Sequence, residues 1–304
     1  MSEDSYTTVV LDGVFRTKAP LSHIGESIAS DSYLVEEPIV QPDGTVVNVF
    51  AYSGNAFRGQ LRDHAAAFFL DRLEMRAKLP AYHLLFSGGS IHGSQKVDIA
   101  FIRRLRSLCP PASLFGGGIG TALLPGKLAV GIAYPACAET QHILGLDQRQ
   151  LPAYGELTTE KSYTRQNDAK ADELVALYFE GDGGQIEENA AAPNQQMRFS
   201  NELLAAGVSL LHRVVLADCT PIEAGVFVAA LRSFAQTPYL GGQRARGHGA
   251  VEFAYTRAGQ PFIAGGQGAE LQLSPEAQQY ITAYEEWLQS VERADVAALL
   301  EAIK

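Results

Sequence analysis

Residues 207–234 constrain the fold more tightly than any other stretch. Val208, Leu210, Val214 and Leu216 share one face of an alternating run, which predicts a strand over 207–216. A helix signal follows at once. Thr220 is a good N-cap, Pro221 takes the first helical position, and Glu223 completes a capping box. Phe227, Ala230, Leu231 and Phe234 then mark an apolar helical stripe. His212 falls on the strand face of Leu210 and Val214, so it reads as a core or interface histidine rather than a base.

Similar units recur along the chain. Thr7, Val9, Leu11 and Phe15 alternate and predict a strand over 7–15. A helix is expected from Ser53–Asn55 through DHAAAFFLDRLEMRAKL, with Pro80 as its stop. Residues 98–108 read as a short helix, and Leu128, Val130 and Ile132 as a strand. Val251, Phe253 and Tyr255 predict another strand. Ser274-Pro275-Glu276 opens a helix carrying Ile281, Tyr284, Leu288 and Val291, and a last turn or two uses Val296, Leu299 and Leu300.

The order strand, helix, strand, strand, helix, strand predicts an α+β chain with an antiparallel sheet, ferredoxin-like or of a modified RNA-recognition (RRM-like) type. The expected organisation is one domain over 1–304, with an early loop and hairpin at 19–52, an insertion at 135–200 that leaves the core and returns, and a C-terminal helical extension at 270–304.

Hydrophobic residues are 46% of the 304 and charged residues 19%, the balance of a soluble globular protein. MSEDSYTT lacks the features of a secretory signal, and no apolar run approaches the ~20 residues needed to cross a bilayer. No membrane partner is expected. Cys109, Cys137 and Cys219 are odd in number and far apart, which fits free thiols in a cytoplasmic setting.

The net charge of −10 is unevenly spread. Residues 53–131 hold ten Lys/Arg against four Asp/Glu, whereas residues 1–52 hold two against eight. Arg58 and Arg62 in SGNAFRGQLRD are four apart, on one helical face near the helix start. Like charges there repel and oppose the helix dipole, costs that a phosphate would relieve. The plainer alternative pairs Arg62 with a carboxylate and leaves Arg58 in solvent. Lys96, Arg103, Arg104 and Arg106 form a second basic cluster, either a solvated helix face or a nucleic-acid contact.

GGQRARGHG, residues 241–249, places Arg244, Arg246 and His248 among glycines. It reads either as a phosphate-clasping loop, with backbone N–H groups turned to an anion, or as a tight turn with exposed arginines. LFGGGIG at 114–120 matches no nucleotide-binding fingerprint, and Gly126-Lys127 lacks the following hydroxyl. The seven histidines show no zinc spacing, and there is no G-x-S-x-G elbow. No cofactor, catalytic residue or metal ligand is expected from these patterns.

Taken in order, SGNAFRGQLRD, LFGGG and LGGQRARGHGAVEF resemble the repeat-associated (RAMP) superfamily. Within it, the chain looks like the backbone subunit that multimerises along guide RNA in multi-subunit CRISPR effector complexes. The resemblance implies that Ser53, Asn55, Arg58, Arg62, Arg244 and Arg246 lie near guide phosphates. It also implies an RRM-like palm with thumb-like insertions, self-association, and contacts to other effector subunits and to a target nucleic acid, expected to be DNA. Lys96 and Arg103 are further candidate RNA contacts, and His248 either touches RNA or supports the loop. Target-RNA-cleaving relatives carry an aspartate shortly after an H-I-G motif. His23-Ile24-Gly25 is present here, but Glu36 precedes Glu37-Pro38, and Asp31 is out of register. A metal-dependent target-RNA endonuclease is therefore the alternative, and a non-catalytic, type IV-like subunit the main expectation.

Overall fold

The computed structural model describes residues 6–89, 98–146, 150–164 and 198–303. It opens with β1 (Thr7–Thr17), then four short strands, β2 (Ile24–Ile28), β3 (Asp31–Leu34), β4 (Glu36–Val40) and β5 (Val46–Phe50). Next come α1 (Gly54–Leu73), α2 (Leu79–Tyr82) leading into a π turn at His83–Ser87, α3 (Ile99–Leu108) and α4 (Pro110–Phe115). The hairpin β6 (Gly117–Ile119) and β7 (Ala122–Leu124) precedes β8 (Leu128–Val130), β9 (Tyr134–Pro135) and α5 (Gln141–Leu144). The second half holds β10 (Thr158–Thr164), β11 (Arg198–Leu204), β12 (Ser209–Cys219) and α6 (Pro221–Phe234). It finishes with β13 (Val251–Arg257), β14 (Gln260–Gly266), β15 (Ala269–Leu273), α7 (Pro275–Ser290) and α8 (Arg293–Glu301).

The main sheet runs β15-β14-β13-β1-β12-β8, with β9 also on β12, and all its pairs are antiparallel. Its β13-β1-β12-β8 portion, with α1 after β1 and α6 after β12, is a β-α-β-β-α-β unit. The α+β, ferredoxin-like expectation matches this core. A second sheet, β10-β11-β3-β2, is mixed, because β11 pairs parallel to β3. It joins the early excursion to the base of the expected thumb. Among the described residues no helix is long and apolar enough to cross a membrane.

Packing begins at β1. Phe15 stacks on His212 at 4.5 Å between ring centroids and meets Phe57 edge-on at 4.8 Å. Phe57 in turn meets Phe234 at 5.4 Å, so one aromatic chain ties the sheet to both α1 and α6. The start of α1 lies so close to β8 that a Cβ on Gly54 would stand 2.1 Å from the Val130 carbonyl oxygen. The capping box on α6 forms as expected, and it serves a second purpose. Buried Glu223 also accepts from Ser113 Oγ of α4 and pairs with Lys127 at 2.7 Å.

Several boundaries differ from the sequence reading. The first long helix ends at Leu73, not at Pro80, because Glu74 turns left-handed (φ 51°) and its N–H bonds back to Asp71 and Leu70. Pro80 instead sits in the first turn of α2, where a missing N–H costs nothing. LFGGG, which the sequence marks only as glycine-rich, begins in a helix, α4. The thumb-like segment 135–200 has strands at both ends, and its middle, 165–197, lies outside the described residues. Residues 270–273 belong to β15, so the C-terminal helices start only at Pro275. The glycines of QPFIAGGQGAELQL hide β14 and β15, since they break the alternation that marks a strand.

His212 supplies a test of this core. Its Nε2 lies 2.9 Å from Tyr255 Oη, and burial pulls the imidazole down to about 4. An unfolded histidine takes its proton near pH 6.5, so between about pH 6.5 and 4 the unfolded chain binds more protons and stability falls as pH is lowered. The loss attributable to this group is on the order of 3 kcal/mol. Urea unfolding across that window is expected to show it, with His212→Gln giving a flatter acid limb.

Candidate nucleic-acid interface

Ser53 caps α1, its hydroxyl accepting from Ala56 N–H, while its own N–H points to His23 Nε2 at 3.3 Å. The helix thus begins at a junction of three chain segments. Asn55, Arg58, Gly59 and Arg62 project from one face of its first turns into a cleft of about 570 Å³. The opposing rim is built from Phe86–Gly89, Phe115, Gly117–Gly118 and Leu123–Gly126.

The two arginines are held rather than free. Arg62 is only 8% exposed and donates to the carbonyls of Phe115 (2.9 Å) and Gly116 (3.3 Å), with its guanidinium over the Phe115 ring. Arg58 donates to the Phe115 carbonyl as well and to Leu128 O at 3.2 Å. Neither forms an ion pair among the described residues. Burial lowers both guanidinium pKa values. Arg62 comes down to about 10, with Arg58 adding to the fall and Asp63 opposing it. Both remain charged at neutral pH, leaving positive charge in a partly dry cleft that, among the described residues, backbone carbonyls, the Phe115 ring and nearby Asp63 offset without an ion pair. An anion entering there lowers that cost.

A second basic group lies near the same helix, outside the cleft, with Arg244 close enough to His64 of α1 to lower its pKa. The 241–249 loop contains a short 3-10 turn at Arg244–Arg246. It is pinned by Gly242 N–H to Ser22 O (2.7 Å), Gly249 N–H to Pro20 O (2.8 Å) and Gly241 N–H to Tyr52 Oη (3.3 Å). Gly241 has φ +68°, and a Cβ there would stand 2.0 Å from the Ser22 carbonyl oxygen. Arg244 and Arg246 are exposed, each supported from beneath by an aromatic ring: Tyr239 at 4.6 Å and Tyr163 at 4.9 Å. Cation–π support holds a guanidinium flat while leaving its N–H groups to solvent or ligand.

His248 differs from its neighbours. It is 4% exposed, and its Nε2 lies 2.7 Å from Tyr163 Oη. Burial first, then Lys161 and Arg246, lowers its pKa, so it is neutral near pH 7. It braces the loop against β10. Of the other basic positions, Arg103 is exposed on α3, while Arg104 lies 3.9 Å from Asp295. Arg106 donates to Ser113 and to Pro125 O on the cleft rim. Lys96 lies outside the described residues. The structure therefore brings Asn55, Arg58 and Arg62 together at the cleft, leaves Ser53 as the cap of the helix that carries them, and sets Arg244 and Arg246 on a separate shelf.

The sequence reading missed Phe86, Leu123, Tyr163 and Tyr239. These are ordinary apolar and aromatic residues, and no spacing marks them as part of a basic site. Glu36, weighed as a nuclease carboxylate, accepts a 2.7 Å bond from Tyr154 Oη. Asp31 pairs with Ser200 across the second sheet. Among the described residues no group of three or more His, Cys, Asp or Glu is arranged to hold a metal ion.

No family model matches the chain, and no curated protein matches it. A solved structure titled "Type IV-B CRISPR Complex" is similar to it. A chain of that structure aligns with a TM-score of 0.61 and 23% identity, covering 88% of this chain and 96% of its own length. The likeness is one of fold. At 88% of this chain it extends well beyond the three motifs.

The different settings of the arginines predict different consequences of removing them. Arg62→Ala deprives two backbone carbonyls of a charged donor and is expected to cost about 2 kcal/mol of stability. Arg244→Ala is expected to change stability by less than about 0.5 kcal/mol. Urea denaturation of the two variants checks both.

Proposed function

We propose that the chain is a non-catalytic, RAMP-type backbone subunit that binds a guide RNA through its phosphates and multimerises along it. The resulting effector complex would recognise an invading nucleic acid, with DNA as the expected target, in the cytoplasm. One observation carries the reading. Two sets of guanidinium groups without an ion-pair partner among the described residues, Arg58 with Arg62 and Arg244 with Arg246, lie near a single helix, α1, in a chain of net charge −10. A mononucleotide pocket needs one such set; a polymer of phosphates uses both. The fold likeness to a chain of a type IV-B CRISPR complex supports the same reading.

In this reading residues 1–304 form one palm, the segments 19–52 and 135–200 reach toward neighbouring subunits or RNA, and residues 270–304 close the back of the palm. Ser53 shapes the α1 start and Asn55 faces the ligand. Arg103 extends the basic surface, Lys96 is a further candidate contact, and His248 acts by holding Tyr163, the ring beneath Arg246, in place.

Reconstitution with a guide-length RNA is the test. Light scattering is expected to show assemblies larger than a monomer that collapse on ribonuclease treatment. Each lost phosphate contact should also lower the slope of log affinity against log salt by about one. The Arg244→Ala/Arg246→Ala double variant is thus expected to bind all RNA sequences more weakly, with a slope shallower by about two. A protein that stays monomeric and RNA-free at low salt rules the reading out.

A further inference from the structure

The cleft beside Arg58 has two chemically different walls. Asn55, Arg58 and Arg62 make one wall polar and cationic. Phe86 and Leu123 stand on the other, with Leu123 69% exposed on the β6–β7 hairpin. Phe86 is extended by Tyr82, itself 45% exposed, the two rings stacked at 4.6 Å and 24°. Between the walls the floor is main chain: Gly88, Gly89, Gly117 and Gly118, joined by Gly118 N–H to Gly88 O at 2.8 Å. No side chain rises from those four positions to fill the space.

Leu123 and the stacked Tyr82–Phe86 pair leave adjoining apolar surface that an apolar group can cover. Arg58 and Arg62, with no ion-pair partner among the described residues, favour an anion beside it. A ligand that relieves both needs an anionic end and a flat apolar end a few ångströms apart, and a nucleotide unit has that form. We infer that the cleft is a nucleotide subsite for single-stranded RNA, which takes a phosphate at Asn55 and Arg58 and packs the attached base against Phe86 and Leu123. This rests on the RNA-binding reading and adds a base contact to it. Phosphate contacts alone ignore whether a base is present; stacking on an aromatic wall depends on it. The cleft is open at its mouth, so the strand on either side of the bound unit continues outward, and the 241–249 shelf near the same helix offers it further cations.

The test compares a single-stranded RNA oligonucleotide with the same strand in which the bases are replaced by abasic sites, using fluorescence anisotropy on the full chain. Wild-type protein is expected to bind the intact strand at least about five-fold more tightly. Phe86→Leu keeps the bulk and removes the ring. It is expected to lose about five-fold or more on intact RNA, to leave abasic RNA unchanged, and to keep the wild-type salt slope. Leu123→Ser changes an exposed residue, so it probes the same wall if Phe86→Leu unfolds, and a smaller loss confined to intact RNA is expected. Arg244→Ala is the contrast, weakening both strands alike. Variants on the apolar wall that bind intact RNA like wild type, or that weaken both strands equally, overturn the subsite. Tighter binding of single-stranded DNA than of RNA overturns its assignment to RNA. Wild-type protein that binds neither strand overturns the RNA reading itself, a result distinct from loss of the base effect.

Discussion

The carbonyl oxygen of Phe115 receives two guanidinium groups, from Arg58 and Arg62, and the functional geometry depends on that double grip. It fastens the C-terminal end of α4 to the first turns of α1. Because the LFGGG segment leaves α4 at that point, the grip also sets where the glycine floor lies. From the other side α4 is held by Ser113 to Glu223, the same carboxylate that caps α6 and pairs with Lys127. Four elements therefore meet through two polar clusters, one cationic and one anionic at its centre. The cationic cluster faces the cleft; the anionic one is buried behind it.

That arrangement resolves the tension between an acidic chain and an anionic ligand. Many of the carboxylates are engaged within the fold. Glu276 meets Arg257, Glu285 meets Arg232 and Arg72, Asp12 meets Arg213, and Glu252 meets Lys18. The arginines of the cleft and the shelf have carbonyls and aromatic rings as neighbours instead. A carbonyl orients a guanidinium without cancelling its charge, and a tyrosine face does the same. Among the described residues, cationic groups without ion-pair partners are thus gathered near α1 even though the sum over the chain is negative.

Much of the core was legible in local pattern. The Thr220-Pro221-Ile222-Glu223 box, the alternation of β1 and the stripe of α6 act within a few residues of themselves, so tertiary packing had little to override. The failures share a cause. Glu74 ends α1 in a left-handed turn that a charged residue does not announce. β14 and β15 are strands because β13 offers them an edge, although their glycines erase the alternation. The arginines of α1 were legible as a pair on one face, but their anchoring to backbone carbonyls was not, since the partner segment lies more than fifty residues away.

By itself the sequence determined the strand and helix order of the β-α-β-β-α-β core, the two basic positions at the helix start, and the glycine loop with its paired arginines. These follow from periodicity, capping and charge, which are local. Only the tertiary structure decided what each arginine does. It buried Arg62, left Arg244 and Arg246 exposed on tyrosine faces, turned His248 inward as a brace, and set an apolar wall of Phe86 and Leu123 across from the cations. The physical reason is that desolvation and facing partners are properties of the space around a side chain, and segments distant in sequence make that space.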